Sequence, residues 1–456
     1  LPPTRERTMT PELIVLCAVV VLFVLLALEV PVALSLGISG VFGIYLISGE
    51  RAVLGALGGT PFSSTNSYSL AVIPLFILMG SLAVHGRIAE HVFAIARHHL
   101  KSMPGGLGVA TIAGCASFAA VTGSSIATAA IFAKMSVGQM IRNGYPPQLA
   151  AGLVAAAGTL GALIPPSVLL VFFGIVAGES IGKLLIAGII PGLLGAVIYA
   201  VYIMFAARNI RVPDEKLAEE LQQSLADTRR RRGKGLPYRG LVRIGILFLA
   251  VVGGIYTGSF TSNEAAGVGA IFALAILVWE RRSDGLGSIL TCVKDALSEA
   301  ASTTGMIFLI VVGAGIFSYM LVLSGMPQVL TAWITALDVA PWVIVAAILI
   351  LCVPLGMALD SFSIMGIVVP LTYPIVTGLG FDGIWYGVLI VKMCELGLIT
   401  PPVGVGAFVV AGAAKEVPIE QVFRGIVPFV FLELLTVALI FAFPAIALWL
   451  PQQMVN

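Results

Sequence analysis

The chain has 456 residues, of which 59% are hydrophobic and 11% charged, and its mean hydropathy is +1.06. Soluble domains carry roughly 25% charged residues, so this composition excludes a soluble fold. The net charge of +2 comes without an interleaved basic and aromatic patch, so nothing indicates nucleic-acid binding.

Apolar segments recur from Leu13 to Trp449. A membrane-spanning helix needs about 20 apolar residues to cross roughly 30 Å of hydrocarbon, and many of these segments approach that length. The sequence therefore predicts an all-α polytopic membrane protein. Residues 1–8 start without a Met and are interpreted as a tail that precedes a natural start at Met9. The five cysteines are scattered without metal-ligand spacing and are expected to be packing residues.

The predicted elements form two repeats, residues 9–205 and 241–450, joined by a basic connector at 206–240 and followed by a tail at 451–456. In chain order, the first repeat has crossings at 13–28, 32–48 and 67–84, a re-entrant hairpin at 106–141, a broken helix at 148–177, and a crossing at 184–205. The second has crossings at 242–258, 263–279 and 303–323, a hairpin at 341–377, a broken helix at 384–413, and a crossing at 425–449. Each repeat thus has five crossings, and an odd number predicts that the second repeat is inverted.

Two Pro-Pro breaks support the duplication. The first break is at Pro165 and the second at Pro401, and each lies 41 residues after a small polar cluster, at Ser124 and Asp360 respectively. An offset of 236 residues therefore relates the two halves. Duplicated broken helices in a membrane protein are typical of secondary transporters with a site at the bilayer midplane.

The Lys and Arg residues predict the orientation. If the connector is cytoplasmic, 20 of the 25 basic residues lie on its side, four lie on the outer side, and Lys392 lies inside a span. Cytoplasmic loops are enriched in Lys and Arg, so both termini are predicted to be extracytoplasmic. The first hairpin then opens toward the cytoplasm and the second toward the outside, as an inverted repeat requires.

The breaks expose backbone groups that can bind ions. Proline removes a backbone donor and disfavours helical geometry in the residue before it, so each helix must stop and restart at its Pro-Pro pair. Such backbone is tolerated at membrane depth only where protein buries it or a wet cavity adjoins it. The freed carbonyls suit sodium, and the free amides suit carboxylates. A Pro kink used only for packing is the alternative.

The hairpin tips are predicted to meet the breaks near the membrane centre. Thr122, Ser124 and Ser125 would then offer oxygens beside Gly158 and Gly161, whose missing side chains permit close approach. In the second half Asp360 replaces Ser124, and an acidic residue at this depth is functional by default. We expect a cation site at each tip, with a formal anion only in the second, although Asp360 as a simple helix cap is an alternative.

Three further charged residues lie within the predicted spans of the second repeat. Lys392 and Glu395 stand three residues apart on one helix and are expected to pair, although Glu395 facing the site is an alternative. Glu433 lies deep in a span without an assigned role. No HExxH motif occurs in the sequence, and residues 123–127 lack the GxSxG pattern of serine nucleophiles, so no enzyme is predicted.

The chain resembles the large membrane subunit of TRAP (tripartite ATP-independent periplasmic) transporters, also called the DctM-like or M subunit, within the wider ion transporter superfamily. The resemblance covers the chain from Met9 and rests on seven segments, namely residues 30–37, 73–80, 123–125, 158–167, 263–269, 356–370 and 395–404. It implies sodium-driven uptake of an organic acid, either a carboxylate or a sialic-acid-like compound, by an elevator movement in a bacterial or archaeal inner membrane. It also implies two partners: a four-helix small membrane subunit (Q or DctQ-like), expected as a separate polypeptide, and a periplasmic substrate-binding protein (P or DctP-like).

The resemblance also implies which residues form the sites. The implied substrate-binding residues are Thr122, Ser124, Ser125, Pro165, Ser361 and Pro401. The implied sodium-binding residues are Ser124, Gly158, Gly161, Asp360, Ser363, Gly397, Thr400 and Gly404. A standalone sodium-coupled carboxylate transporter of the same superfamily is the alternative function, and a channel-like or structural membrane protein is the alternative from another class.

Overall fold

The computed structural model describes residues 10–100, 102–208, 210, 238–336 and 339–454. The predicted N-terminal tail and most of the predicted connector lie outside these ranges. Every regular element within them is helical, and no strand occurs there. The predicted all-α class is therefore confirmed.

The first half contains twelve helices within the described residues. Seven precede or form the first hairpin: α1 Pro11–Ala27, α2 Val32–Ser48, α3 Glu50–Thr65, α4 Val72–His85, α5 Ile88–Leu100, α6 Gly106–Thr122 and α7 Ser125–Phe132. Five follow: α8 Gly138–Arg142, α9 Pro147–Gly158, α10 Val168–Ala177, α11 Ile181–Ala187 and α12 Ile189–Ala206. A π-helical turn joins α7 to α8, and a 3₁₀ turn extends α9.

The described part of the second half contains ten helices. They are α13 Tyr238–Phe248, α14 Ser262–Arg281, α15 Leu286–Ser324, α16 Met326–Ala336, α17 Pro341–Ala358, α18 Ser361–Gly378, α19 Gly383–Ile399, α20 Val405–Ala413, α21 Ile419–Ala442 and α22 Ala445–Gln452. A π-helical turn extends α13 to Tyr256.

Seven helical segments in the described residues are long and apolar enough to cross a membrane. Large apolar side chains such as Leu16, Val197 and Ile271 are more than half exposed on their outer faces. Apolar surface in this amount is unfavourable in water and is expected where lipid surrounds the helices. The protein is therefore a multi-pass membrane protein.

Helix pairs lie where the sequence predicts the hairpins and broken helices. The first hairpin consists of α6 and α7, and the second consists of α17 and α18. The first broken helix consists of α9 and α10, and the second consists of α19 and α20. The inverted relation between the two halves stays a prediction.

The structure differs from the predicted crossings in four places. Helices α3 and α16 were not predicted. Helix α15 contains the predicted crossing at 303–323 but has 39 residues, because it begins earlier, in a polar segment that contains Lys294 and Asp295. Hydropathy detects only the apolar part of such a helix. The predicted crossing at 425–449 is wrong, because α21 ends at Ala442 and α22 begins after Pro444. Pro444 disfavours helical geometry in Phe443, which adopts φ −126° and ψ 80°.

Candidate functional site

The tip of the first hairpin is built from a helix end followed directly by a helix start. Gly123 ends α6 in the left-handed conformation (φ +61°), which glycine adopts without steric cost. A Cβ there would also lie 3.0 Å from the carbonyl carbon of Pro166, so the break approaches the tip closely. Ser124 caps α7, and its hydroxyl accepts a hydrogen bond from the Ala127 amide at 3.3 Å.

The tip of the second hairpin has the corresponding cap. Asp360 Oδ1 accepts hydrogen bonds from the amides of Phe362 at 3.0 Å and Ser363 at 3.1 Å, and Oδ2 accepts one from the Ser363 hydroxyl. Asp360 is therefore a helix cap, as the alternative interpretation states, and a cation-binding role for it stays a prediction. The two tips thus match in local geometry while differing in charge.

Both tips line one cavity of about 140 Å³. Five of the predicted site residues are in its wall: Thr122, Ser124, Ser125, Asp360 and Ser361. Phe362 on α18 adds to the second tip, and the rest of the wall comes from α4, from the start of α10, from α15 and from α19, including Gly80, Ser81, Val168, Glu299, Thr303, Glu395 and Leu398. The structure thus brings residues about 236 positions apart to one site.

Glu395 is the most deeply buried carboxylate in this wall, with 1% of its surface exposed. The Ser361 hydroxyl donates a hydrogen bond to its Oε1 atom at 3.1 Å. Its Oε2 atom is buried and makes no hydrogen bond, and the same holds for the Ser125 hydroxyl oxygen. Buried polar atoms are almost always paired, and these two groups lie close enough together to interact with each other.

The expected pairing of Lys392 with Glu395 is wrong. Lys392 forms an ion pair with Glu433 on α21, and Glu433 Oε2 also accepts a hydrogen bond from the Tyr199 hydroxyl at 2.6 Å. Spacing along a helix indicates only that two side chains share a face, whereas here α21 offers a closer carboxylate. This ion pair gives the deep position of Glu433 a structural role.

One part of the cavity wall is not indicated by any pattern in the sequence. It consists of Ser81 on α4 and Glu299 on α15, and the Ser81 hydroxyl donates a hydrogen bond to the Glu299 carboxylate. The two residues are 218 positions apart, so no local pattern joins them. Gly80 allows α4 to approach the first hairpin tip closely, since a Cβ there would lie 2.6 Å from the Thr122 carbonyl oxygen.

The first Pro-Pro break packs behind the first tip. A Cβ at Gly161 would lie 2.8 Å from the Ser124 carbonyl carbon, and one at Gly158 would lie 2.7 Å from the Cβ of Ala129. Pro165 is buried and its peptide bond to Pro166 is cis. These three predicted residues therefore support the tip and are not among the residues that line the cavity.

The second break has different surroundings. Gly397 packs against Gly356 on α17, since a Cβ at Gly356 would lie 2.8 Å from the Gly397 Cα. The Thr400 hydroxyl bonds the Leu396 carbonyl at 2.5 Å, Pro401 is exposed, and Gly404 is left-handed before α20. None of these residues lines the cavity, nor does Ser363, whose hydroxyl bonds Asp360.

The ligand atoms of the cavity are hydroxyl, carboxylate and backbone oxygens. Within the described residues, no group of three or more His, Cys, Asp or Glu side chains is placed to hold a metal ion. Hydroxyl, carboxylate and backbone oxygens are the ligands that hard cations prefer. Sodium fits this donor set.

Two hairpins and two broken helices that meet at one cavity with buried polar groups are typical of one class of membrane protein, the secondary transporters. The particular family follows from comparison with known proteins. Residues 19–446 match the family described as "Tripartite ATP-independent periplasmic transporter, DctM component". The chain belongs to this family of transporter permease subunits, which are not enzymes.

Individual relatives agree with this assignment. The chain is 34% identical over 418 residues to the C4-dicarboxylate TRAP transporter large permease protein DctM of Pseudomonas aeruginosa, covering 92% of this chain and 94% of that one. It is 30% identical to the isethionate TRAP transporter permease protein DctMQ of Oleidesulfovibrio alaskensis, covering 93% of this chain and 64% of that one. The YdaH transporter of Alcanivorax borkumensis has the same fold, with a TM-score of 0.63 at 13% identity over 94% of this chain and 97% of that one.

Proposed function

We propose that this chain is the large membrane subunit of a sodium-coupled importer of an organic acid. Its membrane is the inner membrane of a bacterium or archaeon, with both termini outside and the connector in the cytoplasm. A separate small four-helix subunit and a periplasmic substrate-binding protein complete the system. The relatives named for C4-dicarboxylates and isethionate support an organic anion as the substrate class.

One observation carries the proposal: the two hairpin tips meet at one cavity, which the buried carboxyl group of Glu395 also lines. Sodium ions would bind at the tips, where Ser124 and Asp360 supply oxygens. Substrate would bind beside them, against Thr122, Ser125 and Ser361. An ion that binds the substrate-competent state better than other states shifts the population toward it, which is the physical basis of coupling.

The proposed movement is of the elevator type. The hairpins and broken helices would move as one body against α4, α14 and α15. The cavity lies between these two groups, because Gly80 and Ser81 on α4 and Glu299 on α15 face the tips. Movement along this boundary would expose the cavity alternately to the two sides of the membrane.

Reconstituted uptake tests the proposal. Proteoliposomes containing this chain and its small subunit are given labelled succinate and labelled isethionate, with or without the binding protein and with an inward gradient of sodium or choline. We expect accumulation only with sodium and the binding protein together. Sodium-driven accumulation without the binding protein would favour the standalone carboxylate transporter. Uptake that needs neither would contradict the proposal and favour a channel.

A further inference from the structure

The outer face of α14 carries an exposed apolar stripe that ends at a basic residue. Ile271, Leu274 and Val278 are all exposed and follow one another at helical intervals of three and four residues, with the exposed Trp279 beside them. Arg282 lies directly after the helix, four residues after Val278 and three after Trp279, so it continues the same face. Apolar side chains on an outer face of a membrane protein contact lipid, and Trp and Arg mark the membrane surface. Arg282 therefore lies where the lipid-facing stripe meets that surface.

The indole ring of Trp279 contacts two guanidinium groups at this point. The Cζ atom of Arg282 lies 4.6 Å from the ring centroid, and the Cζ atom of Arg243 on α13 lies 5.6 Å from it. A cation within about 6 Å of an aromatic ring is attracted to its face, and Trp attracts cations most strongly. A guanidinium has five N–H donors, so Arg282 keeps donors for an acceptor while it contacts the ring.

The two guanidinium groups differ in their acidic partners. Arg243 forms an ion pair with Glu280, whose side chain is buried. The guanidinium of Arg282 is exposed and forms no ion pair with any of the residues that the structure describes. One cation at the ring is therefore neutralised by a neighbour, while the charge of the other can attract an anion.

The neighbouring charges do not cancel the charge of Arg282. Arg281 and Arg87 share one carboxylate, that of Asp284, at 3.5 Å and 3.4 Å. The group thus contains four arginines and two carboxylates, which leaves two positive charges in excess. Salt screens the attraction of such an exposed group for a small dissolved anion. An anion that apolar chains also hold at the membrane gains the attraction and the burial together.

We propose that the C-terminal end of α14 binds the phosphate group of an anionic phospholipid. Arg282 donates hydrogen bonds to the phosphate oxygens, whose geometry matches the planar donor fork of a guanidinium. Trp279 positions Arg282 at the membrane surface, and the acyl chains lie along the stripe formed by Ile271, Leu274 and Val278. The excess positive charge favours an anionic lipid over a zwitterionic one. The proposed orientation places this lipid in the cytoplasmic leaflet.

The site is joined to the helix that lines the transport cavity. Arg281 Nε donates a hydrogen bond at 3.2 Å to the carbonyl oxygen of His85, the last residue of α4. Gly80 and Ser81 of the same helix line the cavity. A lipid bound here stabilises α4 and α14 at a fixed depth in the membrane. Its role as an anchor for the stationary helices rests on the proposed elevator movement, whereas lipid binding itself does not.

Native mass spectrometry of the full-length chain measures lipid binding without transport. The chain in detergent micelles is titrated with phosphatidylglycerol and, separately, with phosphatidylcholine, which has a phosphate but no net charge. We expect the first phosphatidylglycerol to bind more tightly than phosphatidylcholine. Arg282→Gln should weaken the binding of phosphatidylglycerol about fivefold, the loss expected for one basic side chain at a membrane surface, and should weaken that of phosphatidylcholine less.

Two other variants make the test specific. Trp279→Leu keeps an apolar side chain and the charge of Arg282 but removes the ring, so phosphatidylglycerol should bind about two- to fivefold more weakly, as loss of one exposed cation–π contact predicts. The matched control is Arg424→Gln, since Arg424 is also an exposed arginine on the predicted cytoplasmic side, but it lies on α21. Its affinity for phosphatidylglycerol should equal that of the wild type.

Several results would overturn the inference. Equal affinity of the wild type for the two lipids would exclude selection by charge. Wild-type affinity for phosphatidylglycerol in both Arg282→Gln and Trp279→Leu would place the lipid elsewhere, and if Arg282→Gln does not fold, Trp279→Leu decides alone.

Two competitors distinguish the lipid from other occupants of the same face. Glycerol phosphate has the phosphate without acyl chains, and we expect it not to displace phosphatidylglycerol at equal concentration. Displacement would show that the arginines bind a free phosphate and would refute the lipid site. The small membrane subunit is added in a second experiment, and the lipid should remain bound in the complex. Loss of the lipid there would assign this face to the subunit and contradict the proposal.

Discussion

Replacing Glu433 with Gln should destabilise the protein strongly. The substitution leaves the Lys392 ammonium, which is 0% exposed, without its carboxylate among α12, α19 and α21. Breaking a buried ion pair from one side costs about 3–5 kcal/mol, because the remaining charge stays buried. The melting temperature in nanodiscs should therefore fall by several degrees.

Replacing the ion pair and then its Tyr199 neighbour with apolar residues gives the matched comparison. In Lys392→Met with Glu433→Leu both charges are absent, and the remaining cost is the loss of the Tyr199–Glu433 hydrogen bond, up to about 1–3 kcal/mol because Thr159 also lies near the Tyr199 hydroxyl. Adding Tyr199→Phe removes that hydroxyl too, so the triple variant should melt close to the wild type. Replacing buried ion pairs by apolar residues is often neutral or stabilising. If the triple variant were less stable than Glu433→Gln alone, the cost would not come from an unpaired charge and the reasoning would be refuted.

Three further predictions concern the tips and the first break. Asp360→Asn should keep the fold, because Asn also caps helices, but it should lose sodium-driven uptake. The matched control is Asp382→Asn. Asp382 caps α19 by accepting two backbone amide hydrogen bonds, as Asp360 does for α18, but it lies outside the cavity, so this variant should keep both the fold and the uptake. Gly161→Ala should lower the melting temperature, because backbone 2.8 Å away cannot yield and overpacking costs about 1–3 kcal/mol; an unchanged melting temperature would contradict that packing. Ser167→Ala removes the cap of α10 and should cost about 1 kcal/mol, measured as a loss of thermal stability.

Much of the architecture was predictable because its determinants are local. Apolar segments, Pro-Pro pairs and capping residues such as Ser124 and Asp360 act within a few residues, so the sequence indicates hairpins and breaks directly. The membrane class follows from composition alone. The polar start of α15 and the division at Pro444 were missed because hydropathy averages over a window.

The details of the site were less predictable because they depend on contacts between distant segments. The partner of Lys392 is set by how α21 packs on α19, and the Ser81–Glu299 bond joins two helices whose proximity no spacing reveals. The Pro-Pro breaks were expected to line the cavity, yet Gly161 supports the first tip from behind and Gly397 packs on α17. The repeat implies equivalent breaks, whereas the packing around them differs between the halves.

A pair of cryo-EM maps tests the central claim most directly. The full-length chain with its small subunit is imaged once in sodium chloride and once in choline chloride. Sodium bound at the hairpin tips predicts density in the cavity between Ser124 and Asp360 in the sodium map, and no density there in the choline map. Identical cavities in the two maps, in protein whose sodium-driven uptake has been measured, would place the coupling ion elsewhere and contradict the account.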